Sequence, residues 1–210
     1  MSRKARTGSN SWSRRQARDP FVKRAHKAGY RSRSAWKLIE LDDKDHLISS
    51  GNLIVDLGAA PGGWSQVAIQ RSQPNGRVLA VDLEKIRPLS NLHTIRGDFM
   101  HEEIRTSIRN FAGSAQFALV LSDMAPNISG VRDTDQARSA ALARAALNFA
   151  MESLRQGGSL VVKLFQGSEA EAFRKELELF FQRCVARKPG ASRAESTEFY
   201  LVAKGMRASD

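Results

Sequence analysis

The chain has 210 residues, 41% of them hydrophobic and 26% charged, with a formal net charge of +11. That length suits one domain with a substantial core, and its single cysteine, Cys184, excludes a disulfide framework or a cysteine-rich metal centre and fits a reducing, cytoplasmic setting. No apolar stretch approaches membrane-spanning length, so no membrane contact is expected.

The excess charge is localised. Twelve of the 33 Lys and Arg residues lie in residues 1–37, opposed there only by Asp19, whereas the remaining 21 bases meet 21 acids. A basic segment on a neutral body is the electrostatic footprint of a polyanion binder. Residues 1–19, rich in Gly, Ser and Arg without apolar period, read as a flexible basic arm, with a solubilising tail or a transit peptide as alternatives. Residues 20–210 read as a single domain. Helical segments are expected within 20–47, the second packing its Trp36 face on the body with Leu38, Ile39 and Leu41 nearby.

A strand from Leu53 to Val55 ends in Asp56 and breaks into Gly58-Ala59-Ala60-Pro61-Gly62-Gly63, followed by a helix over Trp64–Arg71. Strand, glycine turn and helix open a nucleotide-binding α/β unit, because glycine lets backbone approach a ligand closely. The spacing is not the dinucleotide fingerprint and no Gly-Lys-Ser/Thr follows, so the loop suits an adenosine without a pyrophosphate, such as S-adenosylmethionine. An ordinary tight βα turn is the plainer alternative. A turn at Pro74-Asn75-Gly76 leads to a second strand, Arg77–Val81, ending in Asp82, placed to accept from a ribose diol. Leu92–Ile95 forms a short third strand before Asp98, which can accept from an adenine amino group; His101–Phe111 is a helix, and Phe117–Leu121 a buried fourth strand ending at Asp123.

Asp133–Leu154 reads as a long helix with an apolar face through Ala141, Ala145, Leu147, Ala150 and Leu154, ended by Gly157-Gly158. Ser159–Phe165 is the fifth strand, Ser168–Phe181 the last helix, and Cys184–Arg187 and Phe199–Ala203 the closing strands. Alternating strands and helices argue a mostly parallel, doubly wound α/β sheet. In such a sheet ligands gather at the carboxyl ends of the strands, so Asp56, Asp82, Asp98, Asp123 and Lys163 should share one rim, with Glu198 joining them if the last strand is antiparallel and Lys37 folding over. Lys163 is the anomaly, a lysine inside Leu-Val-Val-Lys-Leu-Phe, costly to bury without a partner. Snorkelling to solvent is the alternative. No His/Asp/Glu cluster stands at metal-ligand spacing, and no metal is expected.

Four stretches, Asp-Leu-Gly-Ala-Ala-Pro-Gly-Gly-Trp-Ser-Gln, Ser-Asp-Met-Ala-Pro-Asn, Val-Val-Lys-Leu-Phe-Gln-Gly and Arg-Ser-Arg-Ser-Ala-Trp-Lys-Leu, resemble the FtsJ/RrmJ (RlmE) ribosomal RNA 2′-O-methyltransferases over roughly residues 20–204. The resemblance implies a Rossmann-like class I S-adenosylmethionine-dependent methyltransferase fold, a seven-stranded α/β sheet with an antiparallel last strand. It also implies a Lys-Asp-Lys-Glu tetrad at Lys37, Asp123, Lys163 and Glu198, and S-adenosylmethionine contacts at Gly62, Trp64, Asp82, Asp98 and Asp123. Its implied substrate is a uridine ribose in the A loop of 23S RNA within the large ribosomal subunit, reached by a monomer. Transfer to a ribose hydroxyl then requires removal of its proton, for which an unprotonated Lys163 is the candidate. An RNA-binding assembly factor without turnover is the competing expectation, and a nicotinamide-dependent oxidoreductase a weaker one.

Overall fold

In the computed structural model, which describes residues 19–193 and 196–208, the short apolar runs become the strands of one seven-stranded sheet. The expected basic arm, apart from Asp19, lies outside the described residues. Asp19 itself caps helix α1 (Pro20–Lys27), its carboxylate accepting from the Phe21 N–H at 2.9 Å. Helix α2 (Ala35–Asp45) follows, then β1 (Leu53–Leu57), α3 (Gly63–Ser72), β2 (Arg77–Asp82), β3 (Leu92–Arg96), α4 (Glu102–Ala112), β4 (Phe117–Ser122), α5 (Arg132–Ser153), β5 (Leu154–Phe165), α6 (Ser168–Phe180), β6 (Phe181–Arg187) and β7 (Glu198–Met206).

The strand order is β3-β2-β1-β4-β5-β7-β6, with β7 antiparallel to both neighbours and the rest parallel. This is the Rossmann-like, doubly wound arrangement expected, and β1 and β4, buried along their whole length, sit at its centre. Successive residues of a strand face opposite sides, so each central strand feeds two cores. Val55, Leu57, Val120, Leu160, Val162 and Leu164 pack toward α4, α5 and α6. Ile54, Leu119, Leu121, Val161, Tyr200 and Val202 pack toward α2 and α3. By the same parity Asp56 and Lys163 belong on the α2/α3 side.

Three local expectations are corrected. Helix α2 buries Ala35, Lys37, Leu38 and Leu41, whereas Trp36 turns away from the core, lying under the Arg24 guanidinium at 4.0 Å and edge-on to Tyr30. Helix α5 buries Ala140, Ala143, Ala146, Leu147, Phe149 and Ala150, but Ala141 is exposed; its small residues make the apolar stripe hard to locate by hydrophobicity. That helix also ends at Ser153 rather than at the glycine pair. Leu154, buried in the core, already pairs with Phe117, and the next matched pair is Leu119 with Ser159. Gly157 and Gly158 serve the excursion between them: Gly157 takes φ +75°, and a Cβ at Gly158 would meet the Arg155 carbonyl at 2.8 Å.

Candidate active site

Two strand pairings bring distant residues together at the carboxyl rim of the sheet. Lys163 stands directly opposite Tyr200 in the antiparallel β5–β7 ladder, and Phe165 opposite Glu198. Because Lys163, Tyr200 and Glu198 all point to the α2/α3 side, they meet Lys37, which α2 carries over the rim. Asp123 leaves β4 immediately beside β5, its own N–H held by the Leu57 carbonyl at 3.1 Å.

The contacts form one chain. The Lys163 ammonium donates to Asp123 Oδ1 at 2.8 Å and also to the Asp123 carbonyl. The Tyr200 hydroxyl donates to the same Oδ1 at 2.8 Å, and Lys37 Nζ reaches Tyr200 at 3.3 Å while forming an ion pair with Glu198. Lys37 and Lys163 are both buried, each 8% exposed. A buried ammonium without a partner would cost several kcal/mol, roughly, so the pairing decides that these lysines stay inside rather than snorkel. Burial alone would raise the Asp123 carboxyl, but the charges of Lys163 and Lys37 and the bonds from Lys163 and Tyr200 outweigh it and hold it below the ordinary value. The Tyr200 hydroxyl is pushed well above its ordinary range, first by burial and then by the charges of Asp123 and Glu198. The four expected residues Lys37, Asp123, Lys163 and Glu198 therefore converge. Tyr200, the link between the two ion pairs, was not singled out in the sequence; its alternation with Glu198 on β7 was the available signal.

Next to this chain, over the ends of β1, β2, β3 and β4, lies a cavity of about 190 Å³ lined by Gly58, Asp82, Leu83, Asp98, Phe99 and Asp123 among others. Gly58 takes φ +75°, and a Cβ there would come within 2.9 Å of Met124 backbone, so only glycine lets the two loops close. Asp82 organises the turn: its Oδ2 accepts from the Ala60 N–H and its Oδ1 from the Glu84 N–H, both at 2.8 Å. Asp98 accepts from the Met100 N–H at 2.9 Å. Among the described residues no Lys or Arg pairs with Asp82, Asp98 or Asp56. Asp56 lies fully buried beneath the loop, bonded to the Ser65 hydroxyl at 2.6 Å through Oδ2 and leaving Oδ1 without a partner. Burial, reinforced by the charges of Asp123 and Asp82 and opposed by the Ser65 bond, raises its pKa to about 7.

Gly62 and Trp64 do not line this cavity. Trp64 is buried, its indole N–H on the Ser34 carbonyl at 2.8 Å and its ring 5.4 Å from that of Tyr200. Gly62 lies beside Arg31, whose guanidinium donates to the carbonyls of Pro61, Arg87 and Pro88 at 3.3, 2.7 and 2.7 Å. Arg31 is thus a clamp joining the glycine loop to the segment after β2. Arg33 bonds Asp19 and the Ala191 carbonyl, Lys37 pairs with Glu198, and Arg24 stacks on Trp36, so much of the positive charge at 19–37 is engaged within the fold. A larger open cavity of about 480 Å³ at the β2–β3 edge, bounded by Ile86, Pro88, Leu92 and Arg96, contains no member of the Lys-Asp-Lys-Glu group. No helix among the described residues is long and apolar enough to cross a membrane.

The FtsJ-like methyltransferase family model matches residues 30–206. A Methylobacillus flagellatus protein named ribosomal RNA large subunit methyltransferase E is 47% identical over 199 residues, covering 95% of this chain and 96% of its own. A protein of the same name from Dechloromonas aromatica is 45% identical, covering 95% and 97%. Among solved structures, a Plasmodium falciparum protein described provisionally as a ribosomal RNA methyltransferase superposes with TM-score 0.78 at 27% identity, over 86% of this chain and all of that one. A provisionally named hemolysin from Streptococcus thermophilus, at 16% identity and TM-score 0.60 over 86% and 68%, shares the fold alone.

Proposed function

The chain belongs to the FtsJ-like methyltransferase family, and from that premise we propose that it methylates a ribose 2′-hydroxyl of large-subunit ribosomal RNA using S-adenosylmethionine. The observation that carries this reading is the paired Lys163, held by Asp123, whose carboxylate lines the acidic cavity and also accepts from Tyr200 of the Tyr200–Lys37–Glu198 chain.

The cavity suits S-adenosylmethionine on its own chemistry. It offers the carboxylates of Asp82 and Asp98, without cationic partners among the described residues, to a ligand that carries positive charge, and a glycine loop with no Cβ at Gly58 to obstruct close approach. Asp82 is the candidate for the ribose diol, Asp98 for the adenine amino group, and Asp123 for the methionine end. Gly62 and Trp64 would act by fixing the loop and the segment at 29–34 against it. When bound, S-adenosylmethionine supplies an electrophilic methyl group on a sulfonium sulfur.

The side chains then have separate tasks. Lys163 would take the proton of the ribose 2′-hydroxyl, freeing its oxygen for the methyl group that S-adenosylmethionine would supply. Asp123 orients Lys163, and the Lys37–Glu198 pair positions the ribose at the rim. The target is a uridine in the A loop of 23S RNA, presented on the assembled large subunit, and the protein works as a monomer in the cytoplasm. The basic arm, six Lys and Arg without an acid in residues 1–18, adds affinity for RNA phosphates.

Incubating large ribosomal subunits lacking the modification with the protein and methyl-labelled S-adenosylmethionine, then mapping the labelled nucleotide, tests the reading. Label on a ribose 2′-oxygen of that loop is expected. Label on a base, or cofactor binding without transfer, would replace it with a base methyltransferase or an assembly factor.

A further inference from the structure

Five large hydrophobic side chains are exposed among the described residues, and four of them, Leu83, Met100, Ile128 and Val131, follow β2, β3 and β4 at the rim that holds the site. Leu83 lines the acidic cavity, and Met100 directly follows Phe99, which does too. Ile128 and Val131, 65% and 59% exposed, stand instead on the loop that leaves Asp123. That loop, residues 124–131, contains no charged residue in a chain that is 26% charged.

The loop is also held in place. Buried Asp135, in the first turns of α5, accepts from the Ser129 N–H at 2.8 Å, the Ser129 hydroxyl at 2.7 Å and the Gly130 N–H at 3.1 Å. At the other end, Asp123 is fixed by Lys163 and Tyr200. An anchored, neutral loop that presents aliphatic side chains to water beside a reactive lysine is shaped to be covered by something apolar and planar. Of what an RNA offers, nucleobases fit the aliphatic side chains, whereas a phosphate would meet the Arg138 guanidinium, which donates to the Asn127 carbonyl at 3.4 Å.

We propose that Ile128, flanked by Val131, is an apolar wedge that packs against a nucleobase next to the target nucleotide, holding the RNA unstacked so that its ribose reaches Lys163. Aliphatic side chains inserted between base steps part the stack and expose the nucleotide to chemistry. The wedge rests on the reading of this protein as an RNA ribose methyltransferase. It makes Ile128 a positioning residue, without a part in proton transfer.

The test compares wild type, Ile128→Ala and Ile128→Leu in methyl transfer to unmodified large ribosomal subunits. A second measurement uses large subunits reconstituted with 23S RNA carrying 2-aminopurine beside the target nucleotide. Truncation to alanine should lower kcat/KM by about tenfold, as expected for a lost apolar contact, and leucine should stay within about twofold of wild type. Cofactor affinity should not change in either variant. The 2-aminopurine should brighten with wild type and Ile128→Leu but stay quenched with Ile128→Ala. Wild-type transfer by the alanine variant would overturn the wedge. So would a loss accompanied by full brightening, which would point to a ribosomal protein as the partner of Ile128, or a loss of cofactor affinity, which would mean loop collapse. A wild-type protein that transfers no methyl group to the subunits removes the enzymatic reading itself, an outcome distinct from a loss confined to the alanine variant.

Discussion

Asp56 and Asp123 lie at the ends of adjacent parallel strands, yet their carboxyls move in opposite directions, Asp56 up to about 7 and Asp123 below its ordinary value. Burial pushes both upward. The difference is the company each keeps. Asp123 receives Lys163 and Tyr200 and feels Lys37, whereas Asp56 has one serine and the repulsion of two other carboxylates. The contrast extends to the two halves of the rim. Among the described residues, Asp123 and Glu198 over β4, β5 and β7 are each matched by a lysine, whereas Asp56, Asp82 and Asp98 over β1, β2 and β3 are held by N–H and O–H groups. One half pairs its acids internally, and the other keeps carboxylates that no lysine or arginine among the described residues neutralises.

The sharpest way to separate the halves is Lys163→Ala. On its proposed role as general base, the rate of methyl transfer should fall by about 10²–10⁴-fold, while cofactor affinity measured by calorimetry stays near that of wild type. Comparable loss of both would mean that the two halves act as one site.

Stability against pH probes the same contrast with the sign worked through. The folded pKa of Asp56 is raised above its unfolded value, so its contribution is fully present below about pH 4 and lost as pH rises toward 7. That loss amounts to about 4 kcal/mol for a shift from 3.8 to about 7. Asp123, with a lowered folded pKa, behaves oppositely, contributing above the unfolded value and losing that contribution as pH falls through the folded one. In urea titrations from pH 4 to 8, Asp56→Asn should gain stability relative to wild type as pH rises. A constant difference would mean that Asp56 ionises as an ordinary carboxylate.

Asp82→Asn should weaken cofactor binding by roughly 10–100-fold, the range for losing a charged hydrogen-bond acceptor, with little change in the rate at saturating cofactor. A lowered saturating rate would tie Asp82 to the reactive half after all. The smallest effect is expected from Tyr200→Phe. Lys163 bonds the same Asp123 oxygen, and the Lys37–Glu198 pair does not depend on the hydroxyl, so activity should fall only about two- to fivefold for one hydrogen bond of modest net strength. A loss as large as that of Lys163→Ala would make the tyrosine an obligatory link between the halves.

Much of this site was legible before any coordinates. The glycine loop after β1, the acids closing β2 and β4 and the lysine in an apolar strand are all signals carried by single residues against their neighbours. Less was legible where the signal is a face rather than a residue. Trp36 reads as a core residue from its helical spacing with Ile39, but it lies under Arg24 and edge-on to Tyr30 because Leu38 and Leu41 fill the inner face of α2. Ala141 is indistinguishable by composition from Ala140 and Ala143, and only packing against the sheet decides which alanine is buried. Leu154 shows the same limit at a boundary, since pairing with Phe117 drew it from the helix into the strand ahead of the glycines.

The sequence by itself determined the order of strands and helices and the identity of the groups at the strand ends, because hydrophobic period and turn chemistry act over a few residues. The tertiary structure alone decided which charges neutralise each other. Lys37 and Glu198 are 161 positions apart and Lys163 and Asp123 40 apart. The antiparallel register of β7 against β5, with α2 laid across the rim, brings the first pair within bonding distance, and the parallel pairing of β4 with β5 brings the second. Coulomb energy at these separations depends on ångströms and burial, neither of which a linear chain records.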